Sequence, residues 1–449
     1  MKIAVHGLGY VGLTAAVHFA GSRLAGVVGY DPDPTVVDAI NNGAPKAGEF
    51  LSYLAEVHYR DRLWATTDRT ATLDLDADAH ILAVPSERRD APWMDAVVET
   101  VRWICDNARK PTCIIVESTV TPGTLRPLAE AAAACGHTFA HAPRRDWFAS
   151  PDKNLSNLPR VVGALDEVSL AKAIEVLTCV TPRDRIMTTD LETAELVKPL
   201  ENAIFHSVIM LVHDVALSYP NVDVATAVQL AATHWRFESF GSLYFGLGSG
   251  GRCVPLGSKY LAEGTYRHID TPRGRTSICD PQTMFDVANL AEEGISTEIA
   301  KLIWHKTRRR VWTSNPSPAV AVLGLGYRPN FRDVGMSPGL RLAKALSLCH
   351  PFDASIVVHD PLFSPAELDE MVKRIDHQGL RAAGSTEEVR SADVVVLATA
   401  HDAYASWPQE RWRGGHQTII DAHGSWEGHD WAAKGVDYVR IGRPGWFNP

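Results

Sequence analysis

The sequence predicts an α/β protein in which two parallel-sheet domains flank a helical middle, and three observations carry that expectation. Short β-branched runs alternate with longer helical stretches through the first half. Strand signals then stop near residue 189. Near residue 319 a strand followed at once by glycines, "AVAVLGLGY", restarts the alternation. At 449 residues the chain exceeds one ordinary core, and the expected domains are 1–188, 189–312 and 313–449.

The strand candidates of the first domain are "KIAV", "VVGYD", "HILAVP", "CIIVEST", "TFAHAP" and "RVVGAL". The middle reads as long helices, "TAELVKPLENAIFHSVIMLVHDVALSY" and "VDVATAVQLAATHW", with no strand expected before about residue 319. The segment "TSNPSP" has the composition of a linker. After it, "SIVVHDP", "DVVVLATA" and "TIIDAHG" are further buried-strand candidates, and the two α/β halves are candidates for a shared architecture.

Composition excludes several function classes. A formal charge of -9 leaves no basic surface that would make nucleic acid the default partner. Seven scattered cysteines form neither CxxC pairs nor the Cys/His spacings of a zinc site, so no metal is expected and a thiol-reducing compartment fits. The chain opens with a strand-like segment, and no run of eighteen apolar residues occurs. A soluble, cytoplasmic protein with no membrane partner is the expectation.

"GLGYVGL", Gly7 to Leu13, places GxGxxG directly between the first strand and a helix, the context the motif requires. Gly7 permits a tight turn, Gly9 lets a pyrophosphate approach the backbone, and Gly12 lets helix and strand pack closely. The helix N-terminus then faces the phosphates, where unpaired N–H groups and the helix dipole favour anions. Asp31 closes the second strand at the distance of a ribose 2′-hydroxyl. A carboxylate there repels a 2′-phosphate, so the expected cofactor is NAD rather than NADP. Tyr10 and Val11, in the same turn, join the cofactor-binding candidates.

In "ELVKPLENA", Lys198 and Asn202 lie four residues apart and so share a helix face. A cation and an amide placed there suit a substrate oxygen losing a proton or hydride, though a bare K-x-x-x-N also fits a solvated face. Pro199 is expected to start or kink that helix. In "GLGSGGRCVP", Cys253 has a glycine loop on one side and a helix candidate on the other, with Arg252 adjacent. Thiolate, the attacking form, needs a cation or helix N-terminus and an accessible sulfur. A buried packing cysteine beside a turn is the other reading.

Taken in order, "GLGYVGL", "ESTVTPGT", "AELVKPLENA", "GSGGRCVP", "GYRPNFRDVGMSP" and "HDP" resemble the UDP-glucose/GDP-mannose dehydrogenase family over nearly the whole chain. "ESTVTPGT", "LENAIFHSV", "LAATHW" and "GGRCVPLGSKYL" look most similar to the branch acting on UDP-N-acetylhexosamines. The resemblance implies two Rossmann-like domains joined by a central helical dimerisation region, hence a homodimer. It also implies four-electron oxidation of a nucleotide-sugar C6 alcohol to the uronate with two NAD, supplying precursors for polysaccharides or glycoconjugates. By position, Cys253 is the nucleophile, Lys198 stabilises the oxyanion, and Asn202 orients the reacting oxygen or a water. Thr119 lies near cofactor and hydrolytic water. Phe245, Gly246 and Gly250 line the substrate, and Arg328 replaces the family's usual lysine.

The resemblance breaks at defined positions. The glutamate associated with thioester hydrolysis falls on Arg144, and the acid after the cysteine loop falls on Gly257. A basic residue after the ribose acid falls on Val36, an arginine before "SP" on Gly335, and another near the end on His423. Loss of a general base commonly costs about 100- to 10,000-fold. Glu117 and Asp146 are the candidate substitutes, and Arg144 and Arg332 the candidate compensating cations. The alternative functions are therefore a dehydrogenase arrested at aldehyde or thioester, or a catalytically reduced sugar-nucleotide-binding protein.

Overall fold

The computed structural model describes residues 1–22, 26–43, 62–147, 152–235, 246–263, 268–271, 274–277, 283–311, 318–348, 355–375, 379–415, 417–444 and 446. Their contacts group the chain into two compact units, 1–201 with 259–281 and 202–258 with 282–449.

The first unit is built on an eight-stranded sheet. Its strand order is Ile186–Asp190, Arg160–Ala164, Thr138–His141, Cys113–Val116, Ala79–Leu82, Lys2–His6, Gly26–Tyr30 and Leu63–Thr66. Neighbours run parallel except Thr138–His141 with Arg160–Ala164, which are antiparallel. The first strand sits between its two later partners, Ile3 opposite Val27 on one side and Ala79 on the other. That reversal of strand order opens a crevice at the carboxyl ends of the strands. Ile3, Val5, Phe19, Ile81 and Ile115 are buried in the core, as expected for strands covered on both faces.

The six expected strands of this half are present. Leu63–Thr66 and Ile186–Asp190 were not legible, because both are edge strands that expose Trp64 in the first and Met187 in the second. A short antiparallel hairpin, His268–Thr271 with Gly274–Ser277, corrects the expectation of a middle without strands.

The second unit carries a six-stranded, wholly parallel sheet in the order Leu380–Ala382, Ser355–His359, Ala319–Leu323, Val394–Leu397, Gln417–Asp421 and Val436–Arg440. Under one face lie Trp407, Trp412, Trp426 and Trp431, buried together with Tyr404. The helices Met284–Val311 and Pro338–Leu348 pack on the other face through Ile299, Ile303, Leu342 and Leu346. The fold is thus α/β with a Rossmann-type sheet in each half and a helical centre.

The helix Leu191–Ser218 runs unbroken through Pro199 and so corrects the expectation that the proline starts it. Residues 191, 194 and 195, before the proline, are already fully buried, and that packing outweighs the one lost backbone hydrogen bond. Among the described residues this is the one helix long and apolar enough to cross a membrane by length and composition. Its apolar character has other uses here. Ala194, Ala203, Ile209, Met210 and Val212 are buried against protein, while Leu196, Leu200, Ile204 and Leu211 form an exposed stripe at helical spacing.

Candidate active site

In the first unit the glycine turn has the shape that its sequence demands. Gly7 has φ +85°, and a Cβ there would lie 2.5 Å from Ala83 O. At Gly12 a Cβ would fall 1.7 Å from Gly7 O, so helix and turn approach as only glycine allows. Beside them Gly9 has open space where its Cβ would be, room that a pyrophosphate needs. Tyr10 and Val11 begin the helix Tyr10–Gly21, which has no side-chain cap at its N-terminus. Asp31 follows the strand Gly26–Tyr30 and accepts Leu8 N–H at 2.8 Å and Asp33 N–H at 3.0 Å while remaining partly exposed. These residues fit a dinucleotide with an unphosphorylated 2′-hydroxyl.

Thr119 lies partly exposed in the loop after the strand Cys113–Val116. That loop is fixed by Glu195, which is buried and accepts Gly123 N–H at 3.1 Å and Leu125 N–H at 2.7 Å at the start of the helix Leu125–Ala134. Burial raises the Glu195 pKa from its ordinary value. One turn further along the same helix, Lys198 sits 3.7 Å from Glu201, whose carboxylate also meets Arg145 at 2.5 Å.

In the second unit Cys253 is exposed and is the first residue of the helix Cys253–Glu263. A thiolate at that position faces the positive end of the helix dipole. The preceding loop is held open by conformation: Gly248, Gly250 and Gly251 all have positive φ, at +117°, +55° and +68°. The expected substrate-lining residues Gly246 and Gly250 belong to this loop, packed against His423 and against Pro338 with Tyr327. Phe245 lies outside the described residues. Asn202, nearly buried, borders the cysteine helix: a Cβ on Gly257 would sit 2.3 Å from Asn202 Cβ. Arg328 is half-buried with its guanidinium 3.8 Å over the Phe331 ring.

Comparison with known proteins identifies this arrangement. The description "UDP-glucose/GDP-mannose dehydrogenase family, NAD binding domain" matches residues 1–180, the central domain of that family matches 192–273, and its UDP binding domain matches 321–427. The chain belongs to the UDP-glucose/GDP-mannose dehydrogenase family. It is an NAD-dependent oxidoreductase of the nucleotide-sugar dehydrogenase class. It is 29% identical to the UDP-N-acetyl-D-mannosamine dehydrogenase of Pyrococcus horikoshii over 94% of this chain and 95% of that one. With the UDP-glucose 6-dehydrogenase of Haloferax volcanii it shares 28% identity over 91% and 94%. The solved UDP-D-ManNAc dehydrogenase from Pyrococcus horikoshii superimposes with TM-score 0.80 at 27% identity, covering 99% of this chain and 100% of the other.

As a member of this family, the chain departs from its relatives' pattern in structured ways. Arg144 is buried and fully used: Nη1 donates to Val11 O and Glu117 Oε2, both at 2.9 Å, Nη2 to Thr14 Oγ1 at 2.6 Å, and Nε to Asp146 Oδ1 at 2.8 Å. The other oxygen of Glu117 accepts from Arg160. Neither candidate substitute base is available as one. Glu117 is clamped between two guanidiniums. Asp146, although burial opposes its ionisation, is held below the usual carboxylate range by Arg144.

The absent acid at Gly257 also has a structural cause. A Cβ there would lie 2.9 Å from Ala203 N as well as against Asn202, so the helix crossing requires glycine. Of the two candidate compensating cations, Arg144 is spent in this network and Arg332 donates to Leu362 O and Glu367 at 2.9 and 2.5 Å. The cation nearest the Gly335 gap is instead Arg252, with Nε 3.0 Å from where a Gly335 Cβ would be. His423 has Nε2 3.1 Å from Ala398 O, the geometry of a satisfied loop histidine.

The sequence reading missed a further group around the cysteine loop, formed by Glu292, His206, His213 and Arg341. The four come from three separate helices, so no local motif announced them.

Proposed function

We propose that this enzyme is a nucleotide-sugar 6-dehydrogenase that oxidises the C6 alcohol of a UDP-hexose or UDP-N-acetylhexosamine to the uronate through a cysteine-bound thioester. The observation that carries the reading is the exposed residue Cys253 at a helix N-terminus, following a loop whose glycines at 248, 250 and 251 take positive φ. The names of the relatives support the substrate class. The division into an NAD domain (1–188), a central helical domain (189–312) and a nucleotide-sugar domain (313–449) accords with the three family descriptions.

When bound, NAD accepts a hydride in each of the two oxidations. Gly7, Gly9 and Gly12 admit its pyrophosphate, Tyr10 and Val11 present helix-start amides, and Asp31 accepts from the ribose. Lys198 Nζ stabilises negative charge on the C6 oxygen as the alcohol gives up its hydroxyl proton to water and becomes an aldehyde, and Asn202 holds that oxygen in line. Cys253 Sγ then adds to the aldehyde carbon, forming an S–C bond and a thiohemiacetal. The second oxidation leaves a thioester. Water, placed by Thr119, adds to its carbonyl, the S–C bond breaks, and the departing thiolate takes up the water's proton to restore the thiol. Phe245, Gly246, Gly250 and Arg328 contact the nucleotide sugar.

The clamped Glu117 and the glycine-only crossing at 257 favour a second reading, in which hydrolysis is slow and the thioester persists. NADH formed per sugar nucleotide consumed separates the two, with excess NAD, a panel of UDP-, TDP- and GDP-sugars, and products weighed by mass spectrometry. Two NADH and a carboxylate per sugar are expected. A burst of two NADH per enzyme with a mass adduct on Cys253 selects the arrested form, and no turnover on any sugar removes the dehydrogenase assignment. Cys253→Ser is expected to abolish carboxylate formation while leaving NAD binding intact.

The exposed stripe Leu196, Leu200, Ile204 and Leu211 supports a homodimer formed through this helix. Sedimentation that finds only monomer overturns it. Scattered cysteines and the class of reaction support a cytoplasmic setting.

A further inference from the structure

A loop reading Gly-Ser-Gly-Gly before a nucleophile poses a physical problem. Glycine loses more backbone freedom on ordering than any other residue, and it offers no side chain to pack. The conformation of residues 248–251 must therefore be imposed by hydrogen bonds from outside the loop. The one residue there with a side chain is Ser249, and both its N–H and its Oγ donate to the same atom, Glu292 Oε2, each at 3.0 Å.

Glu292 is 2% exposed, and four elements converge on it. It lies on the helix Met284–Val311. From the helix Pro338–Leu348, Arg341 Nη1 reaches Glu292 Oε1 at 2.6 Å and donates through Nη2 to Met336 O at 2.6 Å. From the helix Leu191–Ser218, His206 Nε2 lies 3.5 Å from Glu292 Oε2, while its Nδ1 is 2.8 Å from Ser258 Oγ on the cysteine helix. Gly248 accommodates the carboxylate: a Cβ there would sit 3.0 Å from Glu292 Oε1. A second anchor is His213, whose Nε2 is 2.8 Å from Gly246 O.

Resting on the reading of Cys253 as nucleophile, we propose that Glu292 is the positioning residue of the cysteine loop. Its carboxylate fixes Ser249 directly and faces His206, whose other ring nitrogen meets Ser258 in the second turn of the Cys253 helix. Arg341 neutralises the buried charge and ties it to the turn at Met336, which flanks the loop on its other side. The device explains why the loop tolerates glycine at 248, 250 and 251. Conformation is set by buried groups outside the loop, Glu292 foremost, rather than by local propensity, and Cys253 stays exposed.

The test uses Glu292→Gln, which keeps the size and one acceptor oxygen but removes the charge and turns the other oxygen into a donor. Its readouts are the iodoacetamide alkylation rate of Cys253, followed on the peptide that contains it, kcat and KM on the sugar nucleotide, NAD binding, and thermal melting. Misplacement of a reacting group by about 1 Å costs about 100-fold, so kcat is expected to fall by about that factor. Alkylation is expected to slow, NAD affinity to stay within about twofold, and melting to remain cooperative.

Unchanged kcat and alkylation overturn the proposal. So does a parallel loss of NAD binding in a variant that still melts cooperatively. If Glu292→Gln does not fold, Ser249→Ala and His206→Gln carry the test. Each removes one hydrogen bond worth about 1 kcal/mol, or about fivefold, and wild-type alkylation in both overturns the assignment. Alkylation needs no substrate, so an enzyme that oxidises no sugar nucleotide would refute the proposed function while leaving this experiment decisive.

Discussion

The two Rossmann-type sheets are built on one frame and finished differently. In the first, Gly7 N–H bonds Tyr30 O at 2.8 Å and Asp31 accepts Leu8 N–H; in the second, Gly324 N–H bonds His359 O at 2.8 Å and Asp360 accepts Leu325 and Gly326 N–H at 2.6 and 2.9 Å. Both begin with strand, Gly-Leu-Gly turn and acid, and both place the first strand between its second and fourth. The acids differ in exposure. Asp31 remains partly exposed, whereas Asp360 is 1% exposed and bonded to His401 Nε2 at 3.0 Å.

The helix start differs as well. A Cβ at Gly12 would lie 1.7 Å from Gly7 O and one at Gly339 2.6 Å from Gly324 O, so each helix start comes close to the first glycine of its turn. In the second domain, however, the segment "YRPNFRDVGMSP" intervenes between turn and helix. The comparison teaches that a glycine turn with an acid announces a sheet type. Cofactor binding depends on whether the acid reaches solvent and the helix follows at once.

The largest effect that would break this comparison is expected at Arg144, which holds the first domain's glycine helix through Val11 O and Thr14. Arg144→Glu restores the carboxylate that the family resemblance calls for, but places it against Glu117 and Asp146 with only Arg160 nearby. Breaking a buried pair costs about 3–5 kcal/mol, and thermal melting is expected to show at least that loss. A stable variant with faster thioester release would mean that the network is dispensable.

Asp360→Ala comes next. It leaves His401 and the backbone N–H groups of Leu325, Gly326 and Leu362 without their acceptor. At about 1–3 kcal/mol for a buried unsatisfied group, the second unit is expected to lose about that much stability, with NAD affinity unchanged. Asp31→Ala is the mirror experiment. It is expected to weaken NAD binding about tenfold, the value of one charge-assisted hydrogen bond or so, with stability nearly unaltered and sugar-nucleotide binding retained. Calorimetry on both variants measures the contrast. If Asp360→Ala weakened NAD as Asp31→Ala does, the two acids would be doing the same work.

How legible this was in the sequence follows the same physics. The turn at Gly7, the acid at Asp31 and the buried strands could be read because local backbone demands and two-sided burial leave period and composition signals. The edge strands Leu63–Thr66 and Ile186–Asp190 could not, because exposed positions carry no such pattern. Cys253 stood out by its glycines. Glu292 did not, since a glutamate on a helix reads as solvated until tertiary packing buries it beside Arg341. The pairing of Glu117 with Arg160 was not legible for a related reason: sequence gives proximity in the chain, and Arg160 arrives from a different strand.

The smallest expected effect at neutral pH concerns how the two halves bury histidine. In the first domain burial holds His18 and His141 at about 4, each below its ordinary 6.5, with Arg144 adding to the shift at His18. In the second, burial also lowers His359, but Asp360 opposes the shift. A histidine kept neutral when folded takes up its proton on unfolding, so below pH 6.5 the unfolded chain binds more protons. Stability conferred by this neutrality is therefore full above about pH 6.5 and declines as pH falls toward about 4, by up to about 1.4 kcal/mol per pH unit for each group. Hydrogen exchange between pH 7 and 4.5 is expected to show the first domain's amides losing protection sooner than the second's. His18→Gln is expected to flatten that decline while barely altering protection at neutral pH. Equal acid slopes in the two domains would mean that the buried histidines of the first sheet gain protons without unfolding it.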